Sequence, residues 1–486
     1  MHFRNASWSG LAAAIRAITG LLGALLAVRL LGTGQYGQVA TWLSLFVLYL
    51  SLNASAFTML AVKLVVSSKG DRKMERDIAT SAAVAFCAGS VMLLAVTTAL
   101  LGTFVSMRPQ FDGVLGAEFG SVIFMMGMLT AMQIVVALQA AVIEGSGRLD
   151  LATKWQLVGP LVIAGLLAYS FFSASKIDAF QYVAILAVGA FTDMCLLWIR
   201  RRSLVLPLWI PKGSSRLVGV LQLLRSGGVL QATSLLNLFL EPANKFILNY
   251  FVGAAAVAIY DLAMKVIWGI QHLVGASMRV FLYIGSEDRD AVGENFVKVI
   301  VMLGVPVITM HIFGALFLFW TAHYWMMIDA GPMMAFFAIA AISNLGMIFV
   351  TPLYFSLIGK RDLIFIFRIQ AVLAVVNISV CGVLIPFLGL IGSAFGLLLA
   401  TLVNATAIYA RCRLETTVFA AQGNAIARAK RRISMAIGLL AATILWCGFG
   451  NDSVIPVMGI LIGLAALMPG EPLVRRVLDQ VVSKRA

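Results

Sequence analysis

Residues 241–265 read EPANKFILNYFVGAAAVAIYDLAMK, an apolar stretch that nonetheless carries Glu241, Lys245, Asp261 and Lys265. Widening the window to Ser226 and Gly285 adds His272 and Arg279. Ionisable groups are costly where they face lipid, so inside a bilayer they normally face protein or a water-filled cavity. Their spacing here is helical. Asp261, Lys265, Trp268, His272, Ala276 and Arg279 recur every three or four residues, as do Gln231, Ser234, Leu238, Glu241 and Lys245, so each set lines one face of one helix. With the connection near Gly253, residues equidistant from it share a depth in an antiparallel hairpin. The expected pairs are Glu241 with Lys265, Lys245 with Asp261, and Ser234 with His272. Pro242 should kink the first helix and free the carbonyl of Leu238.

The rest of the chain is equally apolar. Of its 486 residues 61% are hydrophobic and only 12% charged, with a mean hydropathy of +0.98. No soluble domain of this length buries so much apolar surface, so the chain is read as an all-α polytopic membrane protein. Apolar runs fall at 8–31, 38–62, 79–105, 119–143, 155–173, 181–199, 226–252, 254–283, 297–320, 332–358, 364–387, 389–410, 433–449 and 454–470, which predicts fourteen spans. With both termini cytoplasmic, the cytoplasmic segments hold 28 of the 36 Lys and Arg, and the periplasmic loops hold only Arg108 and Lys176. Six more lie within spans. The positive-inside rule therefore sets the orientation. It also absorbs the net charge of +15, which in a soluble chain would suggest nucleic acid. The N-terminus is not expected to be a cleavable signal peptide, because Arg16 interrupts the would-be apolar region and 8–31 is long enough to span. Five scattered cysteines without C-x-x-C and four histidines without ligand spacing support neither disulfide nor metal chemistry.

The sequence also repeats. Gly147-Arg148-Leu149-Asp150-Leu151 recurs as Gly359-Lys360-Arg361-Asp362-Leu363, and Arg200-Arg201-Arg202 as Arg411-Cys412-Arg413, at offsets of 212 and 211. Two agreeing offsets predict a duplicated six-helix lobe, with both copies in the same orientation. The expected domains are an N-terminal lobe over 1–205, a cytoplasmic linker over 206–225, a C-terminal lobe over 226–413, a second linker over 414–432, helices thirteen and fourteen over 433–470, and a cytoplasmic tail over 471–486.

Val28-Arg29-Leu30-Leu31-Gly32 followed by Tyr36-Gly37, then Phe251-Val252-Gly253 followed by Tyr260, Ala263 and Lys265, then Pro386, Gly389, Gly392 and Ala394 occur in an order that resembles the Wzx-type oligosaccharide flippases. The wider superfamily holds multidrug, oligosaccharidyl-lipid and polysaccharide exporters. The resemblance covers essentially the whole chain. It implies a V-shaped, two-lobed, alternating-access transporter in a bacterial inner membrane that is not an enzyme. Its substrate would be an undecaprenyl-pyrophosphate-linked oligosaccharide, flipped from the cytoplasmic to the periplasmic leaflet for O-antigen, lipopolysaccharide, capsule or exopolysaccharide synthesis. Membrane lipids, a polysaccharide polymerase and chain-length proteins would be its partners. Lipid II flippases and cation-coupled drug or metabolite antiporters of the same superfamily are the alternatives, although the antiporters usually have twelve helices. A membrane polymerase or acyltransferase is disfavoured, since the longest predicted periplasmic loop, Ser106 to Glu118, is short and neither H-x-x-x-x-D nor G-x-S-x-G occurs.

A carrier for a lipid-linked sugar needs a hydrated cleft with cations for its phosphates, because the polar head cannot cross ~30 Å of hydrocarbon unaided. Within spans, leaving aside Lys298 at the edge of 297–320, stand six cations (Arg16, Arg29, Lys245, Lys265, Arg279, Arg368) and three acids (Asp193, Glu241, Asp261). Arg16 lies ~12 Å past Trp8 on a stripe of small residues, too deep to snorkel easily, and is the better candidate for a standing phosphate contact. Arg16, Arg29, Lys245, Lys265, His272 and Arg279 are the candidate substrate-binding residues. Glu241 and Asp261 are the candidate coupling or charge network, and Pro242 the candidate hinge. The acids would equally serve as structural i,i+4 partners of Lys245 and Lys265. His272 would equally be a neutral core residue, and Arg279 would equally snorkel to the interface. Asp193 and Arg368 read as interfacial. No cofactor is expected. The driving force is expected to be the membrane potential, with a coupling Na⁺ or H⁺ as the alternative.

Overall fold

The computed structural model describes residues 2–46, 119–145, 154–203, 239–278, 289–359 and 362–415, with short pieces within 50–99, at 151 and within 232–236. Among the described residues there is helix and no strand, as bilayer-spanning backbone requires. The helices are α1 (His2–Leu31), α2 (33–46), α3 (Phe119–Gly145), α4 (Val158–Phe172), α5 (Ala179–Ser203), α6 (Glu241–Phe251), α7 (Ala254–Met278), α8 (Arg289–Trp320), α9 (Ala330–Gly359), α10 (Leu363–Leu388) and α11 (Leu390–Glu415). Eight of them are long and apolar enough to cross a membrane. Predicted spans thirteen and fourteen lie outside the described residues.

The described turns between consecutive helices share a local solution. Residues with positive φ stand at Gly32 between α1 and α2, Ala174 between α4 and α5, Gly253 between α6 and α7, Met327 between α8 and α9, and Gly389 between α10 and α11. At Gly253, φ is +108°, which a side chain would resist, and the Val252 and Gly253 N–H groups both close back onto the Leu248 carbonyl. Chain reversal is thus completed in a few residues, and neighbouring helices are held antiparallel.

The described residues group into two compact units. The first combines residues 1–277 with 362–400, the second 278–361 with residues from 401 onward. In the first unit α1 packs on α4, α3 and α4 pack on α5, and α6 packs on α10. The α4–α5 crossing is made close by two glycines. A Cβ on Gly159 would collide with Asp193 and the Gly189 carbonyl, and one on Gly189 would collide with Ile163. Small residues let membrane helices approach until backbone contacts form, and here the buried Asp193 accepts the Gly159 N–H at 2.7 Å. Asp193, expected near the membrane interface, lies inside the crossing at the first turn of α4, where unpaired N–H groups attract an anion.

In the second unit α8 packs on α9 and continues into a π-helical turn, Thr321–Met326. A buried polar seam joins its helices. His311 Nδ1–H donates to the Val307 carbonyl at 2.8 Å while the Asn344 amide donates to its Nε2 at 3.1 Å, which fixes a neutral tautomer. The Ser343 and Thr401 hydroxyls pair at 2.7 Å.

The Gly159 crossing gives a direct test. Gly159→Ala should lower the melting temperature of the detergent-purified protein by the equivalent of about 1–3 kcal/mol of overpacking. Gly165→Ala on the same helix, where a Cβ meets open space, should leave it unchanged or slightly raised.

Candidate functional site

The α6–α7 hairpin begins with a break. Leu240 adopts φ −98°, ψ −93°, outside helical values, and α6 starts at Glu241 with Pro242 in its first turn. The expected kink takes the form of a break, with helical residues at 232, 233, 235 and 236 before it. Proline lacks the N–H that a first turn leaves unused anyway, so it suits the start of α6. The Leu238 carbonyl that the kink was expected to free lies outside the described residues. The Phe239 and Leu240 carbonyls released by the break accept the Asn377 side-chain amide of α10 at 2.9 and 3.4 Å. Asn377, fully buried, also donates to Asn244 Oδ1 at 2.9 Å. Sequence reasoning missed Asn377. The only signal for it was an amide in an otherwise apolar span.

One turn into α6, Lys245 is enclosed by carboxylates. Its Nζ donates to Glu241 Oε1 at 2.7 Å along the helix and to Asp261 Oδ1 at 2.7 Å across the hairpin. The other Asp261 oxygen receives Lys265 Nζ and the Tyr36 hydroxyl. Lys265 in addition donates to the Tyr36 oxygen at 3.1 Å and lies over the Tyr36 ring. Equal depth about Gly253 thus brings Lys245 to Asp261, as the spacing predicts. Glu241 does not pair with Lys265. Each turns instead to a partner four residues away on its own helix, where side chains already overlie each other. Ser234, the expected partner of His272, lies outside the described residues. The four charges sum to zero. Lys245 and Asp261 are buried, whereas the Lys265 side chain is 37% exposed and Glu241 26%.

Tyr36 enters from α2 and was not among the expected site residues. The α2 helix lies along the hairpin at close range: a Cβ on Gly37 would overlap the Ala254 carbonyl. Gln38 and Asn249 exchange amide hydrogen bonds at 3.4 and 3.2 Å, and Trp42 meets Phe246 edge-on at 6.0 Å between ring centroids. Tyr182 of α5 packs against the Tyr36 ring at 6.2 Å. The signal was present in the sequence: Tyr36 follows Gly32 by four residues, and Tyr260 follows Gly253 by seven. Nothing in that spacing names Asp261 as the partner.

The remaining candidates scatter. Arg16 is exposed on α1, and its guanidinium donates to Gln156 Oε1 at 3.2 Å, just ahead of the α4 turn that Asp193 caps. Arg29 is exposed at the last turn of α1, far along that helix from Arg16. His272 is exposed on α7 and stacks on Trp268 at 6.3 Å. Arg368 is exposed on α10. Arg279 lies outside the described residues. Among the described residues no group of three His, Cys, Asp or Glu gathers as a metal site would need.

Charge balance in the network predicts a rescue. Lys245→Met leaves one lysine for two acids and should destabilise the protein by about 3–5 kcal/mol, the cost of an orphaned buried charge. Adding Glu241→Gln restores neutrality and should recover part of the lost melting temperature. A double variant no more stable than Lys245→Met would contradict the pairing.

The family profile of polysaccharide biosynthesis proteins matches residues 3–283, more than half of the chain. No curated protein matches the sequence. Among solved structures, the lipid II flippase MurJ in an inward closed conformation superposes with a TM-score of 0.69 at 12% identity, over 98% of this chain and 99% of that one. An inward-facing multidrug resistance MATE transporter of the MOP superfamily gives 0.63 at 13% identity, over 83% of this chain and 99% of that one. The MATE transporter VcmN of Vibrio cholerae gives 0.58 at 11% identity, over 86% and 98%. At such identities the likeness is one of fold. The helices, their tight turns and the sequence profile converge: this multi-pass membrane protein has a MOP-superfamily fold and belongs to the polysaccharide biosynthesis protein family.

Proposed function

We propose that the protein is a flippase that moves undecaprenyl-pyrophosphate-linked oligosaccharide from the cytoplasmic to the periplasmic leaflet of a bacterial inner membrane. The observation that carries this reading is the polysaccharide biosynthesis profile over 3–283, on a chain whose full length suits the fold of a known lipid-carrier flippase. Both termini are cytoplasmic in this reading, and six helices repeat as six, with two more beyond. Arg16, exposed on α1 with its guanidinium on Gln156 and within electrostatic reach of Asp193, is the cation that meets the pyrophosphate on the cytoplasmic side. The four charges of the hairpin neutralise one another and add nothing to a cationic lining. They act as a latch, with Tyr36 tying α2 to α7 through Asp261 at the periplasmic end. Releasing it frees Lys265, already part-exposed, for the incoming headgroup. An inside-negative potential favours outward movement of the anionic head by ~2.3 kcal/mol per charge per 100 mV. A Na⁺ or H⁺ exchanged at Glu241 or Asp261 is the alternative driving force.

Lipid II transport is the second reading, favoured by the 98% coverage against the lipid II flippase, where the two MATE structures leave 14–17% of this chain unmatched. Deletion of the gene separates the two. Accumulation of lipid-linked repeat units on the cytoplasmic side supports the first, and accumulation of peptidoglycan precursor the second. In the complemented strain, Arg16→Ala or Lys265→Ala should abolish surface polysaccharide at unchanged protein level on an immunoblot. Normal polysaccharide in both variants would refute the cationic route.

A further inference from the structure

Two of the turns in the first unit border an open, solvent-facing cavity of about 660 Å³. One wall is the end of α1 and its turn, with Arg29 and Gln35. The other is the turn from α4 into α5, with Ser175, Lys176, Asp178 and Gln181. Two cations thus share the cavity with one carboxylate, and that carboxylate is already engaged. Asp178 Oδ1 accepts the Gln181 N–H at 2.7 Å, and Gln181 Oε1 accepts the Asp178 N–H at 3.1 Å. This reciprocal capping box holds the start of α5 and sets the acid against the positive end of that helix. Arg29 and Lys176 are both exposed, so the cavity presents a surplus of positive charge to solvent.

The position makes this surplus unusual. In the orientation set by the charge distribution, only Arg108 and Lys176 stand in periplasmic loops, where lysine and arginine are selected against. One of these two nevertheless lines the same cavity as an intramembrane arginine. A helix C-terminus suffices to explain Arg29. It does not explain a lysine brought beside it by a separate turn. The volume falls within the ~300–1,000 Å³ typical of small-ligand sites, enough for a diphosphate with an attached sugar. An arginine presents a planar fork to phosphate oxygens and a lysine adds a mobile point charge.

We propose that this cavity binds the phosphate ester of a lipid headgroup at the periplasmic leaflet, with Arg29 and Lys176 as the anion ligands and Gln35 and Ser175 as polar lining. The site is separate from the Arg16 contact and from the hairpin latch, and its placement on the outer face rests on the orientation proposed above. Its role is to take hold of the headgroup after transfer, or to seat a phospholipid of that leaflet.

The test is native mass spectrometry of the full-length purified protein released from phosphatidylcholine nanodiscs, with undecaprenyl pyrophosphate or phosphatidylglycerol added as probe. The expected result is that Arg29→Gln/Lys176→Gln retains at least tenfold less undecaprenyl pyrophosphate than the wild type, at an unchanged melting temperature. If the double variant does not fold, Lys176→Gln alone, in an exposed turn, should lose at least threefold. Loss confined to undecaprenyl pyrophosphate identifies the carrier headgroup as the ligand, and a parallel loss of phosphatidylglycerol identifies bulk phospholipid. Both outcomes support the phosphate site. Equal retention by folded variant and wild type, or retention of neither probe by the wild type, overturns it. The transport reading fails separately, if the deletion strain accumulates no lipid-linked units while the variants still lose the probe.

Discussion

Asp261 is the point on which the described part of the first unit turns. A carboxylate this deep in an apolar span is tolerable only with full compensation, and it receives three donors from three helices: Lys245 of α6, Lys265 of its own α7 and Tyr36 of α2. Lys245 in turn requires Glu241, which places a charge beside the break that Pro242 opens. The break exposes two carbonyls, and these require Asn377 of α10. One buried charge therefore obliges four helices to meet in one arrangement. Packing of apolar side chains against one another would not specify it, since lipid tails offer the same contacts.

That chain of obligations separates binding from gating. A network whose charges sum to zero attracts no anion while it is closed, whatever its lysine content. Cationic character then belongs to residues outside it, such as the exposed Arg16 on α1. In the proposed reading the hairpin contributes a change of state. Opening the Tyr36 contact would remove one donor from a buried carboxylate, which favours a discrete closed arrangement over a gradually adjustable one.

Much of this was legible in the sequence and some was not. Span positions followed from apolar runs, because helices are the simplest way to satisfy backbone in lipid, and the Lys245–Asp261 pair followed from equal distance to Gly253. The Glu241–Lys265 pair was misread, because depth alone ignores that a partner four residues away on the same helix competes with one across the hairpin. The disturbance at Pro242 was legible, although a proline alone does not say whether the helix bends or breaks. The depth of Asp193 was read from its distance to Arg200, but its burial against α4 was not. Its burial depends on Gly159 and Gly189 meeting, a coincidence of two helices that no single span encodes. Tyr36 escaped for the same reason: its partner is 225 residues away.

The five tight turns carry a consequence for how such a chain is made. Each reverses direction within a few residues and places one of them in a left-handed conformation, at Gly32, Ala174, Gly253, Met327 and Gly389. Helices so joined cannot be threaded into a bilayer independently, since the second must follow the first at once. During biosynthesis the unit delivered to the membrane is then a helical pair. Lysines and acids that face each other across such a pair can neutralise one another before either meets hydrocarbon.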